Sequence, residues 1–168
     1  AWFDVPAGTS NGLIEVTAGL TFNVPLALDL LADQAYTVVV YGGGSPHAVV
    51  YAEPTTAPTP GNAWLRVLHA ASTQSSRTDV AIHDVTDPLA PLSLATGVGF
   101  GDHTLVEVPA GARRIVFDIH GTGLDETDFF FPLGVVEDGG SLLVALNSRA
   151  AAPTTFLHEV DAGGAVSS

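Results

Sequence analysis

The sequence predicts an all-β fold of tandem antiparallel β-sandwich modules, and three observations carry that prediction. Short apolar runs separated by turn residues recur along all 168 residues, whereas windows suited to an amphipathic helix are scarce. The segments between the runs carry Pro-Ala-Gly, Gly-Gly-Gly, Asp-Gly-Gly and Gly-Thr-Gly, which supply positive φ and end strand pairing. The third observation is an internal repeat. Asp4-Val5-Pro6-Ala7-Gly8 falls on Glu107-Val108-Pro109-Ala110-Gly111, and Ile14-Glu15-Val16 falls on Phe117-Asp118-Ile119 in the same frame. Two residues of slippage later, Leu31-Ala32-Asp33 meets Val136-Glu137-Asp138. Tyr36–Tyr41 then meets Ser141–Leu146, and Val49–Glu53 meets Thr155–Glu159.

A repeat of this kind is one supersecondary unit used twice. Residues 1–53 copy 104–159, while 62–103 has no counterpart. The expectation is therefore that 1–53 is the C-terminal half of a first β-sandwich module, lacking its N-terminal half. A Pro/Thr-rich linker over 54–62 follows, extended and semi-rigid because proline restricts its own φ and that of the residue before it. A complete second module of about seven strands spans 63–160, and 161–168 is expected to be a flexible tail of small and polar residues.

Along the chain, Leu13–Thr17 alternates, with Ile14 and Val16 flanking Glu15. Pro25–Ala32 is the one segment that admits a short helix. Runs rich in Val, Leu and aromatics at 36–41, 47–52, 64–69, 79–83, 141–146 and 154–158 read as strands. The cleanest period-two segment is Arg113–Ile119, where Ile115, Phe117 and Ile119 share one face. With Val67 and Leu143 these are the expected core of the second module.

Composition restricts the function classes. Eighteen acidic residues face five basic ones, a formal net charge of −13. All five are arginines (Arg66, Arg77, Arg113, Arg114, Arg149), and none precedes residue 66. Such a surface repels phosphate backbones and anionic lipid heads, so neither nucleic acid nor membrane insertion is expected. No apolar stretch approaches the ~20 residues of a membrane helix. Cys 0 removes disulfides, thiolate nucleophiles and zinc–thiolate sites. Met 0 leaves no initiator, so a processed chain or a fragment is expected, with any signal peptide already removed.

The series Trp64-Leu-Arg-Val-Leu-His-Ala-Ala-Ser72, Thr78-Asp-Val-Ala-Ile-His83, Gly97-Val-Gly-Phe-Gly-Asp-His-Thr104 and Val106-Glu-Val-Pro-Ala-Gly111 resembles the bacterial domain-of-unknown-function family forty-three ninety-seven. The resemblance covers 63–160, and 1–53 as the second half of another copy. It implies exported, tandem, immunoglobulin-like β-sandwich modules, commonly on cell surfaces, with no established enzymatic activity. The chain departs from the family at Ser72-Thr-Gln-Ser-Ser-Arg77, where the family has a Pro-Asp-Ala-Pro turn.

Candidate chemistry is sparse. Six histidines (His47, His69, His83, His103, His120, His158) show no His-x-His, His-x-x-His or HExxH spacing, so zinc and iron have no local signature. For His69, a core or turn histidine bonded to backbone competes with a ligand role. The densest acidic loop, with Asp125, Glu126 and Asp128, supplies oxygens of the kind calcium takes but lacks EF-hand spacing. It reads as a solvated acidic turn, with a calcium site as the alternative. Asp84-Val-Thr-Asp87 is a second, sparser set. There is no Gly-x-Ser-x-Gly elbow. Gly42-Gly-Gly44 has no helix behind it to make a phosphate cradle. Phe129-Phe130-Phe131-Pro132 cannot place three consecutive rings in one core if it is a strand. It reads either as a loop plugging the end of the sandwich or as an interface to a neighbouring module.

The function expected on these grounds is a non-catalytic, extracellular or cell-surface structural or adhesive protein, not an enzyme and without a resident cofactor. Its partners would be adjacent modules or other copies of itself, assembled head-to-tail by strand complementation into a homo-oligomer or filament. A calcium- or carbohydrate-binding module, drawing on the acidic loops and on Trp2 and Trp64, is the alternative. A hydrolase with a scattered site stands behind both.

Overall fold

A computed structural model describes residues 6–17, 21–41, 46–70, 80–118, 123–124, 129–146 and 158–160. Every regular element among them is a strand, as composition and turn spacing lead one to expect. The chain divides into two compact units, Ala1–Thr56 and Ala57–Ser168.

Among the described residues the first unit holds two hairpins. Strands β1 (Gly8–Thr17) and β2 (Thr21–Leu30) pair antiparallel from Gly8↔Leu30 to Thr17↔Thr21. Strands β3 (Tyr36–Tyr41) and β4 (His47–Ala52) pair from Tyr36↔Ala52 to Tyr41↔His47. The segment that admitted a helix, Pro25–Ala32, is a strand up to Leu30. Its Leu and Ala content suits a helix, but its burial has period two: Val24, Leu26 and Leu30 are buried while Asn23, Pro25, Ala27 and Asp29 are exposed. A single buried face of that period fits a strand and no helix. The Tyr36 hydroxyl closes the β2–β3 turn, accepting from the Leu31 amide (2.9 Å) and donating to the Asp29 carbonyl (3.4 Å).

Among the described residues the second unit holds eight strands where about seven were expected: β5 (Asn62–His69), β6 (Val80–Asp84), β7 (Leu92–Val98), β8 (His103–Pro109), β9 (Gly111–Asp118), β10 (Phe129–Val136), β11 (Ser141–Leu146) and β12 (His158–Val160). They form two four-stranded sheets, β10-β9-β6-β7 and β12-β11-β5-β8. The inward faces of both sheets meet in one cluster that includes Leu65, Val67, Ile82, Ile115, Phe117, Val144 and Leu146. That shared cluster makes the unit a β-sandwich.

Two expectations need correction. The pairing is not antiparallel throughout, because β11 runs parallel to β5, from Ser141↔Trp64 to Leu146↔His69. The first and seventh strands of the unit enter the sheet from the same end, joined through the other sheet. Parallel neighbours require such a crossover. The same register moves Leu143 out of the core. Leu142 and Val144 lie opposite Leu65 and Val67, whereas Leu143 lies opposite Arg66 on the other face. Ile115, Phe117 and Val67 are core residues, and Ile119 lies outside the described residues.

The strand distribution also differs from that of an immunoglobulin constant domain, where the first, second, fourth and fifth strands share a sheet. Here the first strand lies with the fourth, seventh and eighth, and the second with the third, fifth and sixth.

The repeat is visible in the pairing. Hairpin β1–β2 matches β9–β10, with Gly8↔Leu30 mirrored by Gly111↔Val136 and Gly12↔Leu26 by Ile115↔Phe131. Gly8 and Gly111 open the equivalent strands at φ 122° and 107°, beyond the range of ordinary side chains, which explains the shared Pro-Ala-Gly. Strand β10 carries one extra residue, a bulge between Pro132 and Gly134. Hairpin β3–β4 matches β11–β12, but Ser141 pairs with Val160, two residues past the sequence alignment.

Candidate functional site

Polar groups in the second unit are engaged in holding turns and the linker. Arg113, early on β9, donates from Nε to the Pro109 carbonyl (2.7 Å) and from Nη2 to the Ala110 carbonyl (3.0 Å). Its Nη1 lies 3.4 Å from Oδ2 of Asp84, at the end of β6. Asp84 Oδ1 in turn accepts from the Thr86 amide (2.8 Å). One guanidinium thus ties the Val-Pro-Ala-Gly turn to the neighbouring strand.

The segment before β5 is anchored by two carboxylates. Glu107 Oε2 accepts from the Asn62 side-chain amide (3.0 Å) and Oε1 from the Thr59 amide (3.4 Å). Asp138 Oδ1 accepts from the Gly61 amide (2.8 Å). The bonds from Asn62 first, and then from Thr59, hold the Glu107 carboxyl below its ordinary pKa, because they favour the charged form. Residues 59–62 are therefore bound to the second unit, where the sequence reading had only a semi-rigid spacer. No local motif signals this. In the sequence Glu107 stands out only as the residue before the repeated Val-Pro-Ala-Gly.

The described histidines do not converge. His69 is buried at the end of β5, in an edge-to-face contact with Phe100 at 6.1 Å, and its backbone bonds to Asp102 and Gly101. His47 is exposed in the first unit and stacks on Tyr41 at 5.7 Å. His83 lies on β6 and His103 on β8, in different sheets. His120 is outside the described residues, and His158 is described only as part of β12. Among the described residues no group of three or more histidines and carboxylates is placed to hold a metal ion. The calcium candidates Asp125, Glu126 and Asp128 lie outside the described residues. The interface candidates Phe129, Phe130 and Phe131 form the start of β10, so they are strand and not an end loop. Phe129 and Phe131 pair with the core positions Phe117 and Ile115, and Phe130 with Val116 on the opposite face of β9.

The feature that stands out is a difference between the units. In the second unit β9 lies between β10 and β6, and β11 lies between β12 and β5. In the first, among the described residues, β1 pairs only with β2 and β3 only with β4. The consequence shows in burial. Val144, Ala145 and Leu146 of β11 are 0%, 5% and 1% exposed, while the matching Val39, Val40 and Tyr41 of β3 are only half-buried and Val38 is 39% exposed.

Neither a protein-family model nor a curated protein sequence matches this chain.

Proposed function

We propose that this protein is a non-catalytic structural or adhesive repeat protein, exported to the cell surface or beyond, whose modules follow one another in tandem along the chain. The observation that supports this reading best is the recurrence of the same two hairpins in both units, down to the glycine that opens β1 and β9. Repetition of a β-module is a way to gain length and display surface, and it adds no chemistry by itself. The polar constellations at Arg113, Glu107 and Asp138 serve turn and linker geometry. The acidic, cysteine-free composition suits a solvent-exposed surface that needs no redox chemistry.

Calorimetric titration with calcium and a glycan-array screen test the reading. No saturable heat and no glycan signal are expected. Saturable binding of either ligand at micromolar concentrations would replace the structural role with a binding one.

A further inference from the structure

Among the described residues every serine and threonine lies in a strand except Thr55, Thr56, Thr59 and Thr86. Thr86 is occupied, since its Oγ1 accepts from the Arg114 amide (3.0 Å). Thr59 is fixed through its backbone: its amide donates to Glu107 (3.4 Å) and its carbonyl accepts from the Asn62 amide (2.9 Å). Thr55 and Thr56 are exposed, in a stretch without regular structure. The segment around them reads Pro54-Thr55-Thr56-Ala57-Pro58-Thr59-Pro60. Its prolines restrict their own φ and turn Glu53, Ala57 and Thr59 away from helical backbone. Both flanks are fastened. The Glu53 amide donates to the Ala35 carbonyl (2.9 Å), and the Glu53 carbonyl accepts from the Gln34 side-chain amide (2.6 Å). On the other side Pro58 is buried and the Gly61 amide is held by Asp138 (2.8 Å). Only Thr55–Ala57 is left as a short exposed run between held residues.

We propose that Thr55 and Thr56 are acceptors for O-linked glycosylation. A glycosyltransferase takes its acceptor as a single extended piece of chain with the hydroxyl at the surface. Threonines in a sheet meet that condition only by unpairing, whereas a proline-restricted segment meets it at little ordering cost. Threonine interspersed with proline is also the composition of O-glycosylated stalks. In the transfer, the threonine Oγ1 forms a bond to the anomeric carbon of a sugar carried on a diphosphate donor. The bond from that carbon to the donor oxygen breaks, and the diphosphate leaves with the electron pair. The hydroxyl proton passes to a base of the transferase. Phosphate is the competing modification of an exposed threonine. It would add negative charge near Glu53 in a chain of net charge −13 whose first basic residue is Arg66, and phosphothreonine is stabilising where cations receive it. A neutral sugar meets no such opposition. The assignment goes beyond the structural or adhesive reading and does not depend on it: binding of calcium or a glycan would replace that reading and leave the masses used below unchanged.

The test is mass spectrometry of the protein purified from the cells that make it naturally, with fragmentation that keeps sugars on their side chains. A variant carrying Thr55→Val and Thr56→Val, made in the same cells, is measured beside it. Most wild-type molecules should carry a sugar increment on Thr55, Thr56 or both. The variant should lose that increment and keep the urea midpoint of the enzymatically deglycosylated wild type, because both side chains are exposed. An unmodified segment in the wild type overturns the proposal. A phosphate increment there overturns it too, by assigning the segment to a kinase. Sugar on Thr59 or on strand residues, with Thr55 and Thr56 bare, overturns the selection by exposure and extended backbone.

Discussion

Asp33 and Gly139 lie three residues past the last residue of β2 and of β10, one residue off the sequence alignment that sets Asp33 on Asp138, and both have left-handed backbone, at φ 59° and 77°. The turn between the hairpins demands this conformation, and the two copies meet it differently. Glycine adopts it freely, whereas aspartate carries a steric cost moderated by its short polar side chain.

Gly139→Ala should therefore destabilise the second unit by about 1–2 kcal/mol. A Cβ there meets nothing within 4 Å, so the cost comes from φ alone. Asp33→Gly relieves the same strain but enlarges the unfolded ensemble by about 0.4–1 kcal/mol. Its net effect should be a gain below about 1 kcal/mol. Urea denaturation of both variants checks this, and equal destabilisation by both would contradict the shared turn.

The parallel register of β11 makes a sharper distinction between neighbours. Leu146 is 1% exposed and part of the central cluster, whereas Leu143 sits on the opposite face and is half-buried. Leu146→Ala should cost about 2–5 kcal/mol, in the range for emptied core leucine sites. Leu143→Ala should cost clearly less. A reversed order of the two denaturation midpoints would mean that β11 faces the other way.

The alternation of Arg113–Ile119 and the β-rich runs at 36–41 and 141–146 made most central strands legible, because a half-buried strand writes period two into its own residues. Strand β10 was hidden by Pro132, which argues against an interior strand. It is tolerated because β10 is the edge of its sheet and the register shifts there. Strand β7 pairs with β6 through two register shifts and is largely exposed, so Leu92–Val98 lacks a continuous apolar face. The partnership of β5 with β11 joins residues such as Leu65 and Leu142, and no local pattern encodes which distant strand lies alongside. The anchoring of Gly61 by Asp138 was illegible for the same reason. The repeat was the one long-range signal in the sequence, and it carried the equivalence of the hairpins.

Arg113 offers a test of the clamp on the Val-Pro-Ala-Gly turn. Its shortest bonds run to the Pro109 and Ala110 carbonyls, and the contact with Asp84 is longer, at 3.4 Å. Arg113→Ala should cost about 1–2 kcal/mol, the net value of hydrogen bonds from a charged donor. Arg113→Lys should recover only part, lacking the planar fork. A double-mutant cycle with Asp84→Ala should give a coupling below about 1 kcal/mol, because the guanidinium is partly exposed. A coupling that accounts for the whole Arg113→Ala effect would make the ion pair, and not the turn carbonyls, its purpose.

Glu107 ties the linker to the second unit through charge, so that attachment depends on pH. Bonds from Asn62 and Thr59 place its folded pKa below the ordinary 4.5. A carboxylate lowered on folding contributes stability that is present above its unfolded pKa and disappears as pH falls through the folded one. Between pH 7 and about 5, the contribution should be constant. Below 4.5, Asn62 and Thr59 lose a charged acceptor and stability should fall. The chain has seventeen other acidic side chains, so the wild type alone does not isolate the effect. Glu107→Gln keeps an acceptor without the titration, and its stability difference from wild type should narrow as pH drops from 5 to 3. Denaturant midpoints at half-unit pH steps measure that difference. A gap that stays constant across the range would show that the charge of Glu107 has no part in holding Thr59 and Asn62 in place.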